Sequence, residues 1–195
     1  ARPEIPPGIS HNENLEFFAS GGDEHRWLPY TKVRLYTNAF IVQGGKILLG
    51  YKKRGFGMGK YNGFGGKVEQ GETPLQAAVR ELEEESGVKA VLEHIGSLFF
   101  LSDDAEWASQ IEIYRTDSYE GTITESDEMR PEWFSASPAE LQVPAIPFSK
   151  MWETDVVWLP LLITKKKFAD EPISRKRKIL SSPINGGMVY ILKTH

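Results

Sequence analysis

The sequence predicts an α+β fold, arranged as an α/β/α sandwich, on three observations. Segments rich in β-branched and aromatic residues recur along the chain. A Gly44-Gly45 pair joins the first two of them as a hairpin. One helix with clear end signals follows that hairpin. At 195 residues the chain is long enough for one domain with a real core and short for two. Hydrophobic content of 40% and charged content of 26% are those of an ordinary soluble globular protein. With Cys 0, disulfides, thiol catalysis and thiolate metal sites are excluded. No apolar run approaches the roughly 18 residues of a membrane span. A net charge of −4 argues against broad nucleic-acid binding.

Residues 1–32 read as an N-terminal extension, packed onto the rest through Leu15, Phe17, Phe18 and Trp27, and residues 33–195 as the domain. Glu13, Glu16, Asp23 and Glu24 are out of place in a mitochondrial transit peptide, and no secretory apolar core is present. A cytoplasmic monomer is expected, with nuclear or organellar fractions left open. Val33 to Gln43 and Lys46 to Lys52 are the hairpin strands. Lys53 to Gly65 is a loop rich in glycine and basic residues. Val88 to Leu101, Gln110 to Thr116, Met129 to Ser135 and Met188 to Lys193 read as strands, and Ser137 to Leu141 as a short helical turn. Phe148 to Thr164 is helical in parts, with Pro160 expected to kink or interrupt it. The basic runs Lys165 to Lys167 and Arg175 to Lys178 fit solvated strand edges better than an import signal, and none of the histidines has metal-ligand spacing.

The helix is the most legible element. Thr73 is a good N-cap, Pro74 suits the first helical position, Gln76 completes a capping box, and Gly87 suits a left-handed C-terminal cap. Leu75, Ala78, Val79 and Leu82 share one stripe, and Glu81, Glu84 and Glu85 cluster on the other side. A Glu run is ordinarily a solvated acidic face. Here it follows Gly65-Gly66, Gly71-Glu72 and Arg80 at fixed offsets, and carboxylates converging from one rigid helix suit a hard divalent cation.

Gly66, Glu72, Arg80, Glu81, Leu82, Glu84, Glu85, Gly87 and Val88 match every fixed position of G-x5-E-x7-R-E-U-x-E-E-x-G-U, where U is aliphatic. The chain therefore resembles the Nudix hydrolases. That resemblance implies a mixed sheet with a loop-helix-loop, and hydrolysis of a nucleoside diphosphate linked to another moiety, with Mg²⁺ or alternatively Mn²⁺ as cofactor. It also implies catalytic glutamates, Glu81, Glu84 and Glu85, that hold metal and help activate the attacking water, with Glu84 or Glu85 orienting or deprotonating it, and an Arg80–Glu72 salt bridge that braces the helix.

RLYT (Arg34 to Thr37), Leu48 to Thr73, Gly121 to Phe134, Ile146 to Trp152 and Trp158 to Phe168 resemble more narrowly the branch that hydrolyses oxidised purine nucleoside triphosphates such as 8-oxo-dGTP and 2-oxo-dATP. This likeness implies Glu128 and the Gly65 carbonyl as further metal ligands. It implies substrate contacts from Thr37, Lys52, Phe56, Asn62, Phe64, Gly65, Gly66, Lys67, Phe100, Trp152 and Asp155. For any one aromatic the plainer reading is core packing. The branch has two adjacent Asp after its Trp-Pro, whereas Thr154-Asp155 stand here, and Asn38 replaces an apolar residue. The expected reaction is cleavage to the monophosphate and pyrophosphate, with a shifted or narrower base preference. The partner is a small nucleotide, with no nucleic-acid polymer and no membrane. Two other readings stay open: a Nudix pyrophosphatase for ADP-ribose, a dinucleoside polyphosphate or a nucleotide sugar, and a non-catalytic nucleotide-binding module.

Overall fold

A computed structural model describes residues 15–20, 31–101, 107–172 and 187–192, the side chains of 15–20, 101, 169–172 and 187–192 excepted. Among the described residues nine strands form one mixed sheet. These are β1 (Leu15–Ser20), β2 (Lys32–Gln43), β3 (Lys46–Lys52), β4 (Tyr61–Asn62), β6 (Glu93–Leu101), β7 (Trp107–Thr116), β9 (Met129–Ser135), β10 (Phe168–Pro172) and β11 (Gly187–Leu192). The order is β1-β11-β10-β6-β7-β2-β3-β4, and β9 also pairs with β3. At its centre β2 runs parallel to β7 and antiparallel to β3. A second, two-stranded sheet joins β5 (Val88–Lys89) to β8 (Glu120–Gly121).

Helix α1 (Pro74–Ser86) covers one face and α2 (Asp155–Ile163) the other, giving the expected sandwich. The inner half of β2 serves both faces. Ala39 and Ile41 pack with Ala78 and Leu82 of α1, whereas Phe40 and Val42 pack with Trp158, Leu159 and Leu162 of α2. Alternation along one strand therefore feeds two cores, which is why this stretch is buried on both sides. Phe40 meets Trp158 edge-on at 5.6 Å between ring centroids.

The ends of α1 follow their sequence signals. Thr73 Oγ1 accepts from the Gln76 N–H, Gln76 Oε1 accepts from the Thr73 N–H at 2.8 Å, and Gly87 takes φ 76° and donates to the Glu83 carbonyl. The expected stripe is rotated, however. Leu75 is exposed, and the buried face carries Ala77, Ala78, Leu82, Glu85 and Ser86. Counting apolar residues placed all three glutamates outside; one of them lies inside because polar partners await it there.

Three other expectations are adjusted. The strand from Val88 to Leu101 is two strands, with Val88 and Lys89 diverted to pair with Gly121 and Glu120. Ser137 to Leu141 is a turn, closed by Glu140 N–H donating to the Ser137 carbonyl, not a helix. Pro160 does not interrupt α2. It sits on the exposed side of the helix, while Trp158, Leu159, Leu161 and Leu162 anchor the buried side. Leu15, Phe17, Phe18, Trp27 and Arg175 to Lys178, as side chains, fall outside what the structure describes. β1 nonetheless pairs antiparallel with β11 at the sheet edge. Among the described residues no helix is long and apolar enough to cross a membrane.

Candidate functional site

The loop leading into α1 is built against β2. Phe64 and Gly66 offer carbonyls to the Ala39 and Thr37 N–H groups at 2.7 and 2.8 Å, and the Val68 N–H donates to the Leu35 carbonyl. Glycine is needed where the loop passes. A Cβ on Gly65 would run into the Thr37 carbonyl, and one on Gly66 into the Glu81 carboxylate. The loop therefore lies close enough for backbone and carboxylates to share one small volume.

Behind it, Arg80 holds the acidic array in place. Its Nη2 and Nε donate to the two oxygens of Glu72 at 2.7 and 3.2 Å, and its Nη1 donates to Glu81 at 2.8 Å and Glu84 at 3.3 Å. The guanidinium holds the Glu72 carboxyl below its ordinary range. Glu81 shifts the other way: burial raises it, against the pull of Arg80, and the charges of Glu84 and Glu128 add to the rise.

Glu85 is the innermost of the three, 4% exposed. It accepts from the Gly65 N–H at 2.8 Å and from Lys52 Nζ at 3.1 Å. Burial nevertheless pushes its carboxyl up to about 7, with Glu81 contributing in the same direction. Glu128, arriving from the loop before β9, grips the same Lys52 ammonium. Burial opposes the charge on Lys52, but Glu128 and Glu85 outweigh it and raise the lysine.

Two carboxylates thus enclose one positive charge beside Glu81. Such a set of hard oxygen donors fits a hard divalent cation, which would compete with Lys52 for Glu85 and Glu128. Among the described residues no three acidic or histidine side chains are gathered on one point. Glu84 is the outermost of the helix carboxylates, its side chain 60% exposed.

Next to this array a cavity of about 680 Å³ opens between the loop and α2. Thr37, Lys52, Phe56, Asn62, Gly65, Gly66, Lys67, Phe100, Trp152 and Asp155 all line it, and Glu128 stands at the same cavity. Phe64 does not. It is fully buried among Ala78, Leu82 and Met129 on the α1 side, because residue alternation turns it away from Gly63 and Gly65. Its expected place among the substrate contacts is therefore corrected to the core.

The far end of the cavity is aromatic. Phe56 stacks on Trp152 at 5.3 Å and 21°, and Lys60 Nζ stands 4.8 Å from the same indole. Asp155 is held below by the Trp152 N–H at 3.0 Å and the Trp158 Nε1–H at 3.1 Å. Burial raises its carboxyl to about 7 even though both donors favour the charged form. Lys60 escaped the sequence reading; its signal was a basic residue within the glycine loop. Trp107 and Ser109 also line the cavity, and only the pairing of β7 with β2 brings them there.

Comparison with known proteins agrees with this architecture. The family model described as NUDIX domain matches residues 32–155. The chain is 50% identical over 136 residues to the oxidized purine nucleoside triphosphate hydrolase of Danio rerio, covering 69% of this chain and 83% of that protein. It is 46% identical over 136 residues to the protein of the same name from Mus musculus, with the same coverage of 69% and 83%. Among solved structures, a MutT protein from Bacillus halodurans superposes with a TM-score of 0.54 at 23% identity, over 70% of this chain and 87% of that one, which shows the shared fold.

Proposed function

The chain belongs to the Nudix hydrolase family, and from that premise we propose that it hydrolyses oxidised purine nucleoside triphosphates to the monophosphate and pyrophosphate with Mg²⁺, Mn²⁺ serving as a substitute. The relatives to which it is about half identical carry that substrate class in their names. The observation that supports it best is the adjacency of two unlike surfaces in one cavity. A carboxylate array with Lys52 stands at one part of its wall, and the stacked rings of Trp152 and Phe56 at another, with Phe100 also lining it. A purine nucleotide has the same polarity along its length: a planar base to be stacked and a polyphosphate to be neutralised.

The residues take distinct roles in this reading. Glu81, Glu84, Glu85, Glu128 and the Gly65 carbonyl would hold the metal, which supplies charge neutralisation and polarisation of the phosphates. Lys52 and Lys67 face the phosphate end. Thr37, Asn62 and Asp155 read the edge of the base, while Phe56, Phe100 and Trp152 bind its faces. Gly65 and Gly66 let the backbone approach. Glu84 or Glu85 orients the attacking water and takes its proton, a step that needs a carboxylate within reach of the water. Arg80, through Glu72, fixes the helix that carries them. A cytoplasmic monomer, with residues 33–195 as the catalytic domain and 1–32 as an extension, completes the proposal.

A Mg²⁺-dependent screen of ordinary and oxidised nucleoside triphosphates, with detection of pyrophosphate, tests it. Release of pyrophosphate with preference for oxidised purines is the expected result. Turnover confined to ADP-ribose, dinucleoside polyphosphates or nucleotide sugars would overturn the substrate class and leave the family intact.

A further inference from the structure

Asn62 presents its amide to the cavity in one orientation, and two donors determine which. Its Oδ1 accepts from the Gly63 backbone N–H at 2.9 Å and from Asn38 Nδ2 at 2.7 Å. The first donor belongs to the main chain and cannot rotate away. The second reaches across from β2. With two donors on its oxygen, the group Asn62 has left to offer is its Nδ2, a donor only. Turning the Asn62 amide over would set its NH₂ against both donors.

Asn38 itself is an odd choice for packing. It is 8% exposed, and its own Oδ1 is buried with no hydrogen-bond partner among the described residues, pressed against Gly63 where a Cβ would collide with it. An unpartnered buried carbonyl works against stability. An apolar side chain at this point of β2 would avoid that cost, so what remains to account for Asn38 is the amide it delivers to Asn62.

We propose that Asn38 is a positioning residue for base selection: by pinning the Asn62 amide with its donor toward the cavity, it makes the pocket favour purines that carry a carbonyl at C6 over those that carry an amino group there. A carbonyl completes a hydrogen bond with Asn62 Nδ2. An amino group meets donor with donor and leaves both unpaired. The inference rests on the reading of the cavity as a nucleotide site.

The test compares kcat/KM for 8-oxo-dGTP and 8-oxo-dATP, which share the oxygen at C8 and differ at C6, in the N1 proton and in the C2 amino group, in the wild type, Asn38→Leu and Asn38→Asp, so that the change in their ratio from protein to protein reports on Asn38. The wild type should favour 8-oxo-dGTP by roughly tenfold or more, as expected where a polar site rejects a mismatched analogue. Asn38→Leu, with one of the two donors gone, should bring that ratio toward parity by roughly fivefold or more, a change on the scale of one hydrogen bond. Asn38→Asp, almost the same shape, sets a carboxylate against Asn62 Oδ1 and should shift the ratio further toward 8-oxo-dATP. A purely structural role would lower both kcat/KM values by one factor, so unchanged ratios in the two variants, each with a cooperative melt, would overturn the inference. A wild type that turns over both substrates equally would overturn it as well. A wild type that cleaves neither triphosphate would instead sink the functional reading on which it rests, and the two failures are distinct.

Discussion

Arg80 meets both carboxylate oxygens of Glu72, eight residues earlier, with Nη2 and Nε at 2.7 and 3.2 Å. This fork ties the loop at Glu72 to the middle of α1 and leaves Nη1 to hold Glu81 at 2.8 Å. A guanidinium makes these contacts at once because its donors lie in one plane, which a lysine cannot copy.

The first prediction follows from that fork. Arg80→Ala should lower kcat/KM on the order of 10²-fold, the scale expected when catalytic groups shift by about an ångström, although Arg80 is not among the residues that line the cavity. Arg80→Lys should recover little of it. Steady-state kinetics on the three proteins, with circular dichroism to verify the helix, checks this; full activity in Arg80→Ala would refute the bracing role.

The glutamates give a second. If Glu84 or Glu85 takes the proton from the attacking water, the Gln variant at that position should lower kcat by roughly 10² to 10⁴. The two should also differ in stability. Glu84 is mostly exposed, so Glu84→Gln should melt like the wild type. Glu85 is buried between the Gly65 N–H and Lys52, so Glu85→Gln leaves the lysine with Glu128 alone and should melt differently. Single-turnover rates and thermal melts separate these effects.

How much of this was legible in the sequence depended on how local the signal was. The caps of α1 involve neighbours within four residues, and Thr73, Gln76 and Gly87 do what their chemistry dictates. The burial of Glu85 was not legible, because it depends on Lys52 and on a loop amide brought in from elsewhere. Thirteen apolar and polar letters in a row show a stripe, not the partner a carboxylate will find. Phe64 was misplaced for a similar reason. It belongs to a glycine-rich run that does line the cavity, but side-chain alternation against β2 decides which members of that run face inward. The pairing of β3 with β9, which delivers Glu128 to Lys52, joins residues far apart in the chain. Spacing within one segment carries no trace of such a meeting.

Asp155 yields a prediction in pH. Its folded carboxyl lies near 7, raised by burial from the ordinary 3.8. Between about pH 4 and 7 the unfolded chain has lost this proton while the folded protein keeps it, so this residue's contribution to stability falls as pH rises through that window. Below it both states are protonated and the effect vanishes; above it the penalty is complete, at most roughly 4 kcal/mol for a shift of this size. Asp155→Asn should remove the dependence. Since other carboxylates titrate in the same range, the quantity to measure is the difference between wild-type and variant unfolding free energies from pH 4 to 8. A flat difference would show that Asp155 ionises in the folded protein as it does in the unfolded chain.

The last prediction concerns Trp152. Its indole stacks with Phe56 and has Lys60 Nζ 4.8 Å from the ring centroid, so this part of the cavity is organised around it. Stacking of a base on an aromatic side chain is worth about 1–3 kcal/mol by alanine substitution, or roughly a 5- to 150-fold change in affinity. If the indole touches the base and not the phosphates, Trp152→Ala should raise KM by a factor in that range and leave kcat comparatively unaffected. Trp152→Phe, which keeps a flat face, should lose less. The split between KM and kcat decides the matter: packing damage transmitted through Asp155, whose carboxyl accepts from the Trp152 N–H at 3.0 Å, would lower thermal stability and kcat together. A rise in KM alone, graded from Phe to Ala, would mark Trp152 as the surface on which the purine lies.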